Sequence, residues 1–303
     1  MTRTAILFPS QGGPWAAHAP RLLASLAVRS ALSDIDAALL RRFGWSLLDA
    51  AGDKGCALMS TAATAQPAVT GLQIAMMSAL DERGVTPDAV VGLNMGEIAA
   101  AVAAGALTVE DAVTVAGAQA GAIQRPLPPG SMALVAMSAE DADEFIRGRG
   151  GVWVGVELGP RATVLSGATD AVAAAVAQAA ARGVVASGEI FPFGYHSDVM
   201  LPVRAPFLDA VAALAPSPAR LPFGSSVTGS LLVDERLDAS YWWQVMAARS
   251  HFSGALAAVL RTGIERVVEV TPVPMLAGIV HETAAANGVR VVSCDALTLL
   301  ERE

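Results

Sequence analysis

The segment Gly92-Leu93-Asn94-Met95-Gly96 limits the fold of this chain more than any other. Before it, Ala89–Val91 is an apolar run that reads as a buried strand; after it, a helical pattern runs from Glu97 through Ala104. A passage from strand to helix this short has to turn too tightly for side chains at its flanks, which is why glycine stands at both 92 and 96. Such a turn lifts its middle residue into a pocket at the N-terminus of the helix. In the G-x-S-x-G form of the turn that residue is a serine nucleophile. Here it is Asn94. A carboxamide nitrogen is conjugated with its carbonyl, so a histidine cannot activate it for attack. The backbone of a catalytic site is specified, and the usual nucleophile is missing.

The order of elements around this turn reads as α/β. Strand signals at Thr4–Phe8, Ala89–Val91 and Arg266–Val270 alternate with Ala/Leu-rich helical stretches at Ala16–Arg29, Ala68–Glu82, Glu97–Ala104 and Val109–Gln124. Thr108-Val109-Glu110-Asp111 puts a hydroxyl and two acids at a helix start, and Gly44, Gly84, Gly105 and Gly183 stand where helices should stop. Pro126-Leu127-Pro128-Pro129-Gly130 then changes the rhythm. Strands at Ser131–Ala136, Val152–Val156, Thr163–Ser166 and Val184–Ile190, with helices at Ala139–Arg147 and Thr169–Arg182, give the β-α-β-β-α-β order of a ferredoxin-like unit. The expected layout is a large α/β subdomain over 1–125 and 191–303, with a small ferredoxin-like subdomain inserted over 126–190.

Composition narrows the partners. At 303 residues the chain can hold one large domain with an insert, or two domains. A formal charge of −8, with Lys54 the sole lysine and no Lys/Arg run, argues against nucleic acid. Cys56 and Cys294 lack C-x-x-C spacing and read as buried thiols rather than a disulfide or a metal site. The apolar run Ala5–Phe8 stops at Pro9, too short for a signal peptide, and no segment approaches the roughly 20 apolar residues of a membrane span. A cytoplasmic location off the membrane is expected.

The motifs, taken in order, resemble those of the malonyl-CoA:ACP transacylases and the acyltransferase domains of polyketide synthases. Phe8-Pro9-Ser10-Gln11-Gly12-Gly13-Pro14-Trp15 matches F-P-G-Q-G-S-Q-W, Gln66-Pro67-Ala68 matches Q-P-A, and Gly92 to Glu97 matches G-H-S-x-G-E. Gly130-Ser131-Met132-Ala133 and Gly159-Pro160-Arg161 with Ser166-Gly167 follow, then Phe193-Gly194-Tyr195-His196-Ser197. Ser226 to Gly229, Tyr241-Trp242 and Glu269 to Pro272 complete the series over nearly the whole chain. The resemblance implies a hydrolase-like large subdomain, the small insert, and an acyl cleft between them.

It also implies roles. His196 falls on the family's general base, for which an imidazole titrating near neutrality is suited. Gln11 and the backbone N–H of Met95 fall on the oxyanion hole, with Asn94 at the nucleophile position. Gln66, Leu93, Gln119, Phe193, Tyr195 and Val245 are expected to shape the substrate site. Several depart from the family pattern. Leu93 replaces the histidine beside the nucleophile. Gln119 replaces the arginine that grips a malonyl carboxylate, and a neutral amide cannot supply that charge. Val245 stands where an asparagine orients the base, and Val273 removes another polar side chain. Ser10, Ser197 and Cys56 offer no substitute nucleophile in a strained elbow position.

Two functions follow as expectations. One is a divergent acyltransferase-fold enzyme of polyketide or fatty-acid-like biosynthesis. It would act on a thioester carried by coenzyme A or phosphopantetheine, with no serine acyl-enzyme, no permanently bound cofactor and His196 as base. The other is a non-catalytic relative that binds an acyl carrier protein or a synthase component.

Overall fold

The computed structural model describes residues 2–10, 15–49, 57–59, 61–233 and 236–301. Gln11 and Cys56 lie outside the described residues. The first strand, β1 (Thr4–Phe8), and the second, β2 (Ala89–Gly92), are buried along their whole length. That is the reading of an unbroken apolar run with helices over both faces of a parallel sheet. They pair in parallel with Ile6 opposite Val90 and Phe8 opposite Gly92. The ten strands among the described residues divide between two sheets.

The larger sheet has the order β10-β9-β1-β2-β7-β8, with β7 (Phe223–Ser225), β8 (Ser230–Leu231), β9 (Arg266–Glu269) and β10 (Val292–Asp295). Every pair is parallel except the β7–β8 hairpin. Helices Ala62–Glu82, Gly96–Ala103 and Val109–Ala122 pack closely on one another beside β1 and β2. No helix among the described residues is long and apolar enough to cross a membrane.

The smaller sheet contains β3 (Gly130–Val135), β4 (Val152–Gly159), β5 (Ala162–Ala168) and β6 (Ala186–Phe191), antiparallel in the order β4-β5-β3-β6. With helices Ala139–Ile146 and Thr169–Ala181 this is the ferredoxin-like arrangement. It has its own core, in which Ala133, Val135, Phe145, Val154 and Leu165 pack together. Strand alternation sends Met132 and Val164 the other way, into the main core. Strand β4 changes faces partway. Val152 and Val154 belong to the small core, whereas Val156 belongs to the main one. The switch coincides with a register shift between Val154 and Val156, around Gly155, as a bulge requires.

The subdomains are stitched at β4. Ser250 donates its N–H to the Gly155 carbonyl at 2.8 Å, and Glu157 donates to the Ser250 carbonyl at 2.8 Å. Glu157 also pairs with Arg249 at 2.7 Å and with His251 at 2.8 Å.

Several expected helix boundaries move. The stretch read as one helix over Ala16–Arg29 is two, Trp15–Ala24 and Leu26–Ala31, because Ser25 is extended and begins the second. Ser residues favour such non-helical cap positions. The helix expected from Ala68 begins at Ala62 and carries Pro67 within it. Ile123 caps the helix read as ending at Gln124.

Candidate active site

The site is built at the carboxyl ends of β1 and β2, where parallel sheets place their ligands. A side chain on Gly96 would put its Cβ 2.0 Å from the Phe8 carbonyl oxygen, and one on Gly92 would lie 2.3 Å from the Glu97 nitrogen. Both glycines are obligatory for the elbow. Leu93 N–H bonds the Phe8 carbonyl at 2.9 Å, and Glu97 N–H bonds the Asn94 carbonyl at 2.9 Å, closing the turn into the helix.

Asn94 sits at φ +51° and His196 at φ +59°, the two non-glycine residues of left-handed backbone among those described. These two face each other. His196 is 3% exposed, and its Nδ1 lies 2.7 Å from the Ala248 carbonyl oxygen. A carbonyl can only accept, so Nδ1 carries the proton and Nε2 keeps its lone pair. Asn94 Nδ2 donates to that lone pair at 2.6 Å. Burial pushes the imidazole down to about 4, so the ring is neutral at pH 7, in agreement with both hydrogen bonds. At the other end of the same carboxamide, Asn94 Oδ1 accepts from Met95 N–H. One side chain therefore spans the base and the elbow's backbone donor.

The anchoring of His196 differs from what the sequence led us to expect. Val245 supplies no acceptor and is buried in the helix Ala239–Ala247. The ring is nevertheless held, because the backbone just beyond that helix offers the Ala248 carbonyl. The Met246 carbonyl holds His196 N–H at 3.0 Å.

Buried hydrogen bonds behind the elbow tie it to this segment. Glu97 is fully buried and accepts from Ser226 N–H at 2.8 Å, from Ser226 Oγ and from Tyr241 Oη. Burial pushes its carboxyl up to about 7, against the pull of those donors. Gln73 Nε2 donates to the Pro9 carbonyl at 2.7 Å and fixes the chain leaving β1. Glu269 accepts from Met275 N–H at 2.8 Å and from Leu276 N–H at 3.0 Å, and burial raises its pKa.

Between the two sheets lies a cavity of about 350 Å³ lined by Pro9, Ser10, Leu93, Asn94, Tyr195 and His196 on the elbow side. Met132, Val156, Leu158, Val164 and Phe191 line it from the small sheet, and Met275 and Leu276 also contribute. Among the described residues no charged side chain contributes to its wall. Of the residues expected to shape the substrate site, Leu93 and Tyr195 line this cavity. Gln66 is buried outside it and donates to Tyr195 Oη at 2.7 Å. Phe193 packs beside Tyr195, ring centroids 6.4 Å apart. Gln119 is buried in the helix Val109–Ala122 and is not part of the cavity wall; among the described residues its Nε2 has no partner. Trp242 is a core residue that donates to the Leu237 carbonyl, and Trp243 packs on Phe207.

Sequence reasoning missed Gln73, Gly155 and Ala248. An isolated glycine inside a strand pattern signals a bulge and marks Gly155; the other two carry no such signal. Among the described residues no group of His, Cys, Asp and Glu could hold a metal. A larger depression of about 530 Å³, walled by Met77, Asp81, Ala103 and Arg220, contains neither elbow nor base.

Comparisons with known proteins extend this geometry. The acyl transferase domain family matches residues 6–302. The chain is similar to polyketide synthase GfsE of Streptomyces halstedii, with 33% identity over 293 residues, 94% of this chain and 8% of that synthase. It thus spans a small fraction of that relative's length. Among solved structures, the acyltransferase domain from module 8 of the salinomycin polyketide synthase superposes with a TM-score of 0.89 at 32% identity, covering 97% of this chain and 70% of that one. A loading acyltransferase from the avermectin modular polyketide synthase gives 0.85 at 29% identity, over 96% and 93%.

Proposed function

The chain belongs to the acyl transferase domain family, as a domain of the polyketide synthase type, and from that premise we propose that it handles a thioester-linked acyl group without forming a serine acyl-enzyme. The donor in this reading is carried on coenzyme A or on the phosphopantetheine of a carrier protein, and a synthase component is the partner. The observation that carries it is the carboxamide of Asn94, in place of a hydroxyl, between His196 Nε2 and Met95 N–H.

In the catalytic form of the reading, His196 is a general base acting directly on the acceptor or on water. Its ring already has the required tautomer, with Nε2 turned toward the cleft. For Nε2 to work, Asn94 must rotate away. That sacrifices two hydrogen bonds, each worth about 0.5–1.5 kcal/mol net, so roughly 1–3 kcal/mol in all. A thioester carbonyl that takes over Met95 N–H offsets part of this, so the carboxamide is a removable stopper. Gln11 would be a second carbonyl donor.

A second reading rests on the same carboxamide taken as permanent. With base and donor both occupied, the domain would bind an acyl carrier protein or a synthase and perform no chemistry.

Incubation with malonyl-, methylmalonyl-, acetyl- and butyryl-CoA, followed by intact mass measurement after acid quench, tests the common core. No stoichiometric adduct is expected, and an adduct mapping to one residue would sink the proposal. His196→Ala separates the two forms. Turnover of the true thioester should fall by about 10²–10⁴ in the catalytic form. In the binding form, the variant should fully rescue product formation in cells that lack the wild-type protein.

A further inference from the structure

We infer that the cleft receives a neutral aliphatic acyl chain of medium length, an inference that rests on its being a thioester site. The bulge at Gly155 turns Val156 and Leu158 out of the small subdomain's own core and into the cavity, beside Met132 and Val164. The wall is thus a built apolar surface rather than residual core. Met275 and Leu276, which also line the cavity, are held in place by the Glu269 carboxyl through their backbone N–H groups.

Polar groups gather at one place. Asn94 and His196 are where the thioester carbonyl would sit, and among the described residues the cavity wall beyond them holds no Lys or Arg. A carboxylate at the far end of an acyl chain would lose its hydration with no cation to meet it. Gln119 offers no remedy, since it is buried outside the cavity. A methyl-terminated chain loses nothing there and gains from leaving water.

Size sets the length. Taking a methylene as about the size of a water molecule, roughly 30 Å³, a cavity of about 350 Å³ holds on the order of a dozen such groups. The carbonyl and the end of a pantetheine arm take several of them. About four to eight acyl carbons fill the remainder.

The test uses non-hydrolysable pantetheine amides of acetyl, butanoyl, hexanoyl, octanoyl and malonyl groups, titrated calorimetrically into the whole chain. Each pair of added methylenes should tighten Kd by roughly tenfold or more, about fourfold per methylene, up to the octanoyl compound. The malonyl compound should bind more weakly than butanoyl. Leu158→Trp should weaken octanoyl binding at least tenfold and by a larger factor than acetyl binding, with an unaltered melting temperature as the folding control. A flat response to chain length, or tighter binding of the malonyl amide, overturns the inference and leaves the proposed function standing. Failure of every pantetheine amide to bind overturns the proposed function, and the inference with it.

Discussion

Asn94 is held in a left-handed backbone conformation that costs most L-residues roughly 1–2 kcal/mol, a penalty asparagine bears better than serine. Its carboxamide also satisfies His196 Nε2 and Met95 N–H at once. Asn94→Ser should therefore cost about 1–3 kcal/mol of stability, read as a lower urea midpoint at pH 7. The same variant regains a hydroxyl beside a neutral imidazole and should acquire a slow acyl adduct, with butyryl favoured over malonyl. An equally stable variant would mean that neither the backbone preference nor the paired hydrogen bonds stabilise the fold. A variant that labels equally with malonyl would show that a cation reaches the cleft after all.

The elbow itself is a packing solution. Gly96→Ala would drive a methyl to 2.0 Å from the Phe8 carbonyl oxygen and 2.7 Å from the Pro9 carbonyl oxygen, both backbone atoms that cannot swing aside. Its destabilisation should reach or exceed the ~1–3 kcal/mol typical of overpacking. Gly121→Ala is the control. Its Cβ would meet nothing within 4 Å, in the helix Val109–Ala122, so the helix should gain about 0.5–1 kcal/mol. Thermal melts of the two variants beside the wild type check both signs. Features of this kind were legible in advance, because glycine spacing and hydrophobic period report directly on backbone geometry. The elbow, the strand–helix alternation and the β-α-β-β-α-β order could all be read from such signals. The anchor of His196 could not. A backbone carbonyl is present at every position, so nothing in the letter for Ala248 distinguishes it. Attention to side-chain acceptors led instead to Val245. The apolar cleft wall was half legible: Leu93 and Tyr195 could be named from their motifs, but the bulge that aims Val156 and Leu158 depends on strand pairing.

At the scale of the whole molecule, two buried groups pull stability in opposite directions with pH. Glu97 has an ordinary value of 4.5 and is pushed up to about 7 in the fold. Between those values the native chain holds a proton that the unfolded chain has released, so stability falls as pH rises through the window. His196 is pushed from 6.5 down to about 4. Between about 4 and 6.5 the unfolded chain holds the extra proton, so this group makes stability rise with pH. The two slopes oppose each other where the windows overlap. Glu97→Gln removes one of them, and its stability should climb with pH relative to wild type by up to about 1.4 kcal/mol per pH unit below neutrality. Urea unfolding at stepped pH measures the difference. Parallel curves for the two proteins would show that Glu97 is ionised in the fold as it is in the unfolded chain.

The stitch between β4 and Ser250 has a consequence for how the cleft works as a machine. Ser250 is two residues from Ala248, whose carbonyl decides which nitrogen of His196 bears the proton. The strap that joins the small sheet to the large one is thus the strap that sets this choice. Cleft geometry and the support of the base therefore share one short stretch of backbone, from Ala248 to Ser250.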